Sequence, residues 1–262
     1  MKPPMSYQGS KVKEIKKIHE NAPEDFDIIV DVFGGGGSVF LSYIETKKCH
    51  YNEIDKKLCD MFNILKDSQE TEKLINNLKK IDCNDRDFFK NVFEYKSDLS
   101  EIERFLYLTK LSMMGMVNSG KIKLRKCKTT GLLISEGRCL KTFFDLDRFN
   151  GKLDNTIITN KSYKYILEEY KDNDKAFLYL DPPYLLTSCT GYDKTTFKFE
   201  DLQYIFKCMK DENYKCKIML NIDYTGYTRE AFPELFKCCY PISYNMSSFN
   251  AYQKYHIILC NY

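Results

Sequence analysis

The feature that most constrains this fold is an apolar run that stops at four glycines. Residues 26–30 are rich in Phe, Ile and Val, which is typical of a buried parallel strand, and Gly34 to Gly37 end the run. Residues 38–44 then have a helical pattern, and residues 50–54 have that of a second strand. This succession predicts a βαβ unit with the glycine turn at the carboxyl end of its first strand.

The same alternation returns after Asn150-Gly151. The patterns predict strands over 156–159, 176–180 and 217–221 and helices over 163–170 and 199–210. Residues 240–245 and 255–261 predict two strands with no helix between them, so we expect them to pair antiparallel at the edge of the sheet. A short helix over 11–20 precedes the first strand, and the whole is an α/β fold with helices on both faces of the sheet.

The middle of the chain has a different pattern. Residues 71–116 have apolar positions at helical spacings, and residues 120–141 hold seven basic side chains against one acidic side chain. We interpret residues 61–150 as an inserted domain, helical with a β-hairpin, between two parts of one catalytic domain, residues 1–60 and 151–262. The overall net charge of +3 is too small to identify a nucleic-acid binder, so only this local concentration of charge points to one. The alternative is a solvated surface loop.

The glycine turn, Asp31 to Ser38, leaves bare backbone at the carboxyl edge of the sheet. The dinucleotide pattern G-x-G-x-x-G is broken at Val39, and a Walker A loop would need a lysine that is absent here. A cofactor held without a phosphate contact fits better, and a flexible surface turn is the alternative. About 20 residues further on, Glu53 is placed to accept hydrogen bonds from the ribose hydroxyls of an adenosine group. Glu53 and Asp55 could instead cap the next helix.

The most specific motif follows the strand over 176–180. That strand continues directly into Asp181-Pro182-Pro183-Tyr184, and the two prolines stiffen the turn and remove two amide donors. An aromatic amine is a poor nucleophile because its lone pair is delocalised into the ring. Asp181 and the Pro182 carbonyl can accept its N–H bonds while Tyr184 stacks on the base, which would orient the amine for attack.

Two function classes are disfavoured by composition. The 11 cysteines include no CxxC pair and only three histidines accompany them, so we expect no metal site. The first residues lack the apolar core of a signal peptide, and no run approaches 18 apolar residues, so we expect an intracellular, cytoplasmic protein that does not cross a membrane.

Together these motifs resemble the Dam-type adenine-specific DNA methyltransferases. That family has an N-terminal aromatic and lysine motif, an FxGxG turn, an acidic end to the second strand, a target-recognition insertion and DPPY, in that order. Tyr7 and Lys11 match the first motif and Phe33, Gly35 and Gly37 the second, while Glu53 replaces the more usual Asp. Ser162 stands where an Asp that contacts the cofactor's adenine is common, and residues 255–262 are similar to the family's final strand.

The resemblance implies a Rossmann-like methyltransferase sheet that binds S-adenosylmethionine and releases S-adenosylhomocysteine. The cofactor-binding residues it implies are Tyr7, Lys11, Asp31, Phe33, Gly35, Gly37, Ser38, Glu53, Ser162 and Asp181. The catalytic residues it implies are Asp181, Pro182 and Tyr184. The residues expected to bind DNA are Lys121, Lys123, Arg125, Lys126, Lys128 and Arg138.

The implied reaction is methylation of the exocyclic amine of adenine in double-stranded DNA, with the base flipped out of the duplex. Members that read GATC usually carry Arg-x-Asn-x-x-Gly-x-Phe-Asn in the insertion, and residues 118–137 do not reproduce it, so a different target is expected. A cognate restriction endonuclease and a monomer or weak dimer are further expectations. The open alternatives are methylation of cytosine's exocyclic amine, methylation of RNA adenine, and a DNA-binding relative that has lost catalysis.

Overall fold

The computed structural model of the protein describes residues 1–5, 7–82, 85–111, 145–183, 197–224, 233–244 and 252–262. The basic segment over 120–141 and Tyr184 lie outside these residues. In the described part a seven-stranded sheet has the order β3-β2-β1-β4-β5-β7-β6. The strands are β1 (Ile28–Asp31), β2 (Lys48–Asn52), β3 (Thr156–Thr159), β4 (Ala176–Leu180), β5 (Lys217–Asp223), β6 (Phe236–Tyr244) and β7 (Tyr252–Cys260).

The topology explains where a ligand can bind. The five strands from β3 to β5 are parallel, whereas β7 runs antiparallel to both β5 and β6, which confirms the expected antiparallel end of the sheet. The chain proceeds from β1 outward to β2 and β3, and then returns to place β4 on the other side of β1. The strand order therefore reverses between β1 and β4, and open α/β sheets bind ligands beside the carboxyl ends of the strands at such a point.

Helices cover both faces of the sheet, as predicted. The described helices are α1 (Ile15–Asn21), α2 (Phe40–Tyr43), α3 (Lys56–Lys66), α4 (Ser68–Lys79), α5 (Arg86–Phe93), α6 (Glu101–Leu111), α7 (Tyr163–Tyr170) and α8 (Phe199–Lys210). Single 3₁₀ turns occur at Lys11–Lys13, Asp145–Phe149 and Pro233–Leu235. No helix among these is both long and apolar enough to span a membrane.

Strand β4 shows how the two layers form. Phe177 and Tyr179 point into the core shared with α1 to α6, whereas Leu178 and Leu180 point into the core shared with α7 and α8. All five residues of β4 are buried, which is why it reads as an unbroken apolar run rather than an alternating one. The strand that carries the DPPY motif is thus fixed on both faces.

Some boundaries differ from the sequence prediction. Strand β2 lies two residues earlier than expected, because Glu53 and Asp55 leave the strand to accept backbone N–H bonds. Strand β6 begins at Phe236 rather than Tyr240, since a bulge between Phe236 and Cys238 keeps its first residues paired with β7. The first predicted helix begins with a 3₁₀ turn and becomes α-helical only from Ile15.

Helices α4 to α6 confirm the helical pattern predicted from residue 71 as far as Leu111, and its last five residues lie outside the described residues. Asp55, Asp67 and Asp85 are the N-caps of α3, α4 and α5, with side chains that accept the first free amides. Leu65, Leu78 and Phe105 belong to the same core cluster as the sheet residue Phe177. The division into a catalytic and an inserted domain stays a prediction; its boundary at residue 60 falls within α3.

Candidate active site

The switch point brings the DPPY turn and the N-terminal motif into contact. Asp181 follows β4 directly, and the Lys11 Nζ lies 2.8 Å from Asp181 Oδ2. Both side chains are nearly enclosed, with 4% of the lysine and 14% of the aspartate exposed. Burial raises the pKa of Asp181, and the nearby Lys11 ammonium partly opposes that rise. Two residues that were predicted on separate motifs thus form one buried ion pair.

The prolines of the turn are also enclosed. Pro182 is buried and Pro183 is half-buried. Neither residue can donate a hydrogen bond, so this exit from β4 presents no amide at either position. Tyr184, the third predicted catalytic residue, lies outside the described residues.

Ser38 attaches the N-terminal segment to the glycine turn. Its buried hydroxyl accepts a hydrogen bond from the Lys11 amide at 3.0 Å. Tyr7 lies over the same turn: a Cβ atom at Gly35 would lie 3.1 Å from its ring, and one at Gly36 would lie 2.7 Å from its Cβ. The structure therefore brings together Tyr7, Lys11 and the glycine turn, which the sequence placed about 30 residues apart.

The glycine turn is packed rather than free. A Cβ atom at Gly34 would lie 2.2 Å from the ring of Tyr51, and one at Gly37 would lie 2.6 Å from both Phe40 and Phe62. Gly37 also has a φ of +80°, which favours glycine. The Tyr51 hydroxyl donates to the Gly35 carbonyl at 2.8 Å. A flexible surface turn, the alternative considered above, does not describe this segment.

Glu53 lies beside this turn at the end of β2. Its Oε2 accepts the Gly35 amide at 2.8 Å and its Oε1 accepts the Asp55 amide at 3.0 Å. Burial raises the pKa of Glu53, and the amide donors reduce that rise. The residue that caps α3 is Asp55, which accepts from the Lys57 amide. The capping alternative thus applies to Asp55, while Glu53 faces the glycine turn.

Asp31 ends β1 beneath the turn and is 2% exposed. Its Oδ2 accepts the Phe40 amide at 3.1 Å, so the carboxylate anchors the start of α2. Burial raises the pKa of Asp31 to about 7, and the neighbouring Asp181 and Glu53 carboxylates add to the rise. This carboxyl group titrates near neutral pH inside the candidate site.

Phe33 of the turn and Ser162 both lie beside the start of α7. Phe33 stacks on Tyr163, with ring centroids 5.4 Å apart, and both rings contact Phe197. The Ser162 hydroxyl accepts the Tyr165 amide at 3.3 Å and caps α7. Sequence reasoning missed Tyr163 and Phe197, although an aromatic residue directly after Ser162 was a visible signal.

A buried polar cluster behind Lys11 was also missed. Glu14 Oε1 lies 4.0 Å from Lys11 Nζ, and Glu14 Oε2 accepts from the Tyr240 hydroxyl at 2.8 Å. His256 Nδ1 lies 3.0 Å from the same oxygen. Asn221 donates to the hydroxyls of both Tyr179 and Tyr240. Polar residues inside the apolar strands β5 and β7 were the available signal, because a buried polar group requires a partner.

The predicted DNA-binding residues lie outside the described residues, so their positions stay predictions. Among the described residues no group of three or more His, Cys, Asp or Glu side chains has the arrangement of a metal site.

Comparison with known proteins identifies relatives of this chain. A family model described as D12 class N6 adenine-specific DNA methyltransferase matches residues 7–244. The chain is 27% identical over 241 residues to the type II methyltransferase M.CviBI of Paramecium bursaria Chlorella virus NC1A, covering 88% of this chain and 86% of the relative. It is 24% identical over 240 residues to the type II methyltransferase M1.LlaDCHI of Lactococcus lactis subsp. cremoris, covering 82% and 78%.

A third relative is the modification methylase StsI of Streptococcus sanguinis, 26% identical over 203 residues that cover 72% of this chain and 29% of the relative. The family description specifies adenine rather than cytosine and DNA rather than RNA, which decides between the alternatives that the motifs left open. Since the match extends from Tyr7 to the end of β6, the chain belongs to the D12 class of N6 adenine-specific DNA methyltransferases.

Proposed function

We propose that Asp181 and the Pro182 carbonyl hold the exocyclic amine of the target adenine during methylation, while Tyr184 stacks on the base. The observation that carries this proposal is the buried pair between Lys11 and Asp181 at the switch point. A carboxylate enclosed at the end of a fixed strand can accept an amine N–H with little reorganisation. The Lys11 ammonium counteracts the burial that raises the pKa of Asp181, and so favours the ionised, accepting form.

We further propose that S-adenosylmethionine, the cofactor this family generally uses, binds beside the glycine turn and Glu53 and supplies the methyl group when bound. The residues fit such a group. Gly35 and Glu53 are half-buried, and the Glu53 carboxylate accepts the backbone amides of Gly35, Asp55 and Ile54, so about one of its four lone-pair sites is left for a ribose hydroxyl. The other cofactor-binding residues in the proposal are Tyr7, Lys11, Asp31, Phe33, Gly37, Ser38, Ser162 and Asp181.

The substrate is DNA, and we propose that it is double-stranded and that the adenine is flipped out of the stack, because its amine is otherwise out of reach. The basic residues Lys121, Lys123, Arg125, Lys126, Lys128 and Arg138 would contact phosphates. The type II names of two relatives make a cognate endonuclease a reasonable partner to seek. We expect a monomer or weak dimer that acts inside the cell, where its DNA is.

The test of the catalytic proposal is an Asp181→Asn variant. We expect its single-turnover methylation rate to fall by about 100- to 1,000-fold, since the variant loses a charged acceptor for the amine. DNA affinity should stay within about threefold of wild type, because phosphate contacts dominate that affinity. Transfer of labelled methyl groups to adenine measures the rate, and a fully active variant would contradict the proposal.

The test of the cofactor proposal is Glu53→Gln, compared with the exposed Glu45→Gln, whose carboxylate pairs with Lys152. Calorimetry should show S-adenosylmethionine binding about tenfold weaker for the Glu53 variant, because charge-assisted hydrogen bonds to the ribose are lost. The Glu45 variant should bind like wild type. Equal affinities for both variants would remove Glu53 from the cofactor site.

A further inference from the structure

His256 lies on β7 between two carboxylates. Its Nδ1 is 3.0 Å from Glu14 Oε2, and its Nε2 is 3.1 Å from Asp223 Oδ1. The histidine is fully buried, and the side chains of Glu14 and Asp223 are 9% and 16% exposed. Strand pairing places Asp223 of β5 and Tyr240 of β6 directly opposite His256, so its surroundings are fixed by the sheet.

This geometry specifies the charge of the ring. A neutral imidazole has one N–H and one lone pair, so it can donate to only one of the two carboxylates and would turn its lone pair toward the other. An imidazolium donates to Glu14 and attracts Asp223 as an ion pair at 3.1 Å, a contact that does not have the alignment of a hydrogen bond. Burial by itself lowers the pKa of His256, but the neighbouring Asp223 and Glu14 carboxylates outweigh it and leave the pKa raised.

Glu14 connects this cation to the candidate active site. Its Oε2 is held by His256 and the Tyr240 hydroxyl, while its Oε1 lies 4.0 Å from Lys11 Nζ. Lys11 lies closer to Asp181, at 2.8 Å. A Glu14 carboxylate released from His256 could move to Lys11 and compete with Asp181 for the ammonium. Although burial raises the pKa of Glu14, its contacts with His256, Lys11 and Tyr240 leave it lowered, so the group is an anion.

We propose that His256 is a positioning residue for methyl transfer: as an imidazolium between Glu14 and Asp223, it fixes Glu14 and thereby keeps Lys11 on Asp181. The inference rests on the proposed role of Asp181. The charged and polar groups that face this centre are Lys11 and Glu14 from the N-terminal segment, Asn221 and Asp223 from β5, Tyr240 from β6 and Asp181 after β4. In that set the His256 cation also favours the ionised form of Asp181.

The first test measures the charge of His256 in the wild-type protein. The sequence has three histidines, so ¹⁵N-histidine spectra can be assigned with His19→Asn and His50→Asn variants. At pH 6.5 we expect both ring nitrogens of His256 to be protonated. His50, whose pKa burial lowers to about 4, should be neutral at the same pH and serves as the internal reference. A neutral His256 ring at pH 6.5 would overturn the inference.

The second test compares His256→Asn with His19→Asn, an exposed histidine that contacts Ser42. We expect the His256 variant to lose roughly 10- to 100-fold in single-turnover rate at pH 7 through misplacement of Lys11 and Asp181. Because the cation that lowers the pKa of Asp181 is gone, the acid limb of the rate profile should move to higher pH. Cofactor affinity should change less than about threefold, and His19→Asn should keep the wild-type profile.

The outcomes separate the inference from the function it rests on. An inactive Asp181→Asn together with a His256→Asn profile equal to wild type would overturn the role of His256 alone. A fully active Asp181→Asn would overturn the role of Asp181 and the positioning with it. If His256→Asn does not fold, Asp223→Asn replaces it, and this variant should move the acid limb in the same direction by a smaller amount; an unmoved limb contradicts the inference.

Discussion

Two lysine–aspartate pairs lie at opposite ends of β4 and differ in almost every physical respect. At the carboxyl end, Lys11 and Asp181 are 4% and 14% exposed. Just before the amino end, Lys175 pairs with Asp25, and these side chains are 44% and 69% exposed. An exposed pair contributes little to stability, whereas a buried pair has a large desolvation cost that only its mutual attraction and hydrogen bonds offset. The buried pair therefore costs desolvation free energy that the exposed pair does not. Its position at the switch point, where a ligand can bind, indicates that it is kept for function rather than for stability.

The largest effect that this comparison predicts is for Lys11→Met. Removing the ammonium leaves Asp181 buried without the cation that contacts it, so the free energy of unfolding should fall by about 3–5 kcal/mol. Urea unfolding measures the loss. The matched control is Lys175→Met at the exposed pair, and similar losses for the two variants would contradict the contrast between the two ends of the strand.

The second effect concerns the glycine turn beside the buried pair. Gly34→Ala places a methyl group 2.2 Å from the ring of Tyr51, which cannot move far within its core, so we expect a loss of about 3 kcal/mol. Gly151→Ala is the control, because a Cβ there meets no atom within 4 Å and only its φ of +70° opposes the change. Thermal unfolding should give a clearly lower melting temperature for Gly34→Ala than for Gly151→Ala. The reverse order would show that the turn can rearrange to accommodate the added methyl group.

The third effect is a pH dependence at Asp31. Its pKa is raised to about 7 in the folded protein, so the folded state holds this proton at pH values where the unfolded chain has released it. The contribution of Asp31 to stability therefore falls as pH rises from about 4 to 7. Asp31→Asn cannot ionise, and its free energy of unfolding relative to wild type should be about 2–3 kcal/mol more favourable at pH 8 than at pH 5.

Asp25→Asn is the control for that measurement. The hydrogen bond from Lys175 lowers the pKa of Asp25 below its ordinary value, so Asp25 is ionised in both the folded and the unfolded state above pH 5, and the stability of Asp25→Asn relative to wild type should be the same at pH 5 and pH 8. If the difference in free energy of unfolding between Asp31→Asn and wild type is the same at pH 5 and pH 8, the raised pKa of the buried Asp31 is contradicted.

The smallest effect is expected for Lys175→Met. The pair with Asp25 is screened by solvent, so the unfolding midpoint should stay within experimental error of wild type, and methylation should be unchanged. A clear loss of methylation would show that the exposed pair at the amino end of β4 influences the active site, and it would contradict the contrast between the two pairs.

The sequence predicted most of the fold because local and long-range preferences agree in the buried strands. Strand β4 was recognised from five consecutive apolar residues and the prolines that end it. The start of β2 was misplaced because Glu53 and Asp55, which looked like strand-end residues, accept amides outside the strand. A side chain can accept such an amide only where the fold leaves the amide without a backbone partner. The alternating pattern of a strand does not reveal where that happens.

The candidate site was predicted less completely. Asp181, Lys11 and Glu53 follow from motifs whose order is visible in the sequence. The contact between Glu14 and His256 joins residues 242 positions apart, and no local pattern pairs a glutamate in an N-terminal turn with a histidine on the last strand. Such partners become visible only once the sheet order β5-β7-β6 is known.

The central claim is that methyl transfer takes place where β1 and β4 diverge, with Asp181 holding the amine. The most direct measurement is a crystal structure of the protein with a non-reactive cofactor analogue and DNA that contains its target site. We predict the adenine N6 at hydrogen-bonding distance from Asp181, about 2.6–3.2 Å, with the analogue's ribose at Glu53. An adenine bound away from Asp181, or an analogue bound away from the glycine turn, would contradict the account.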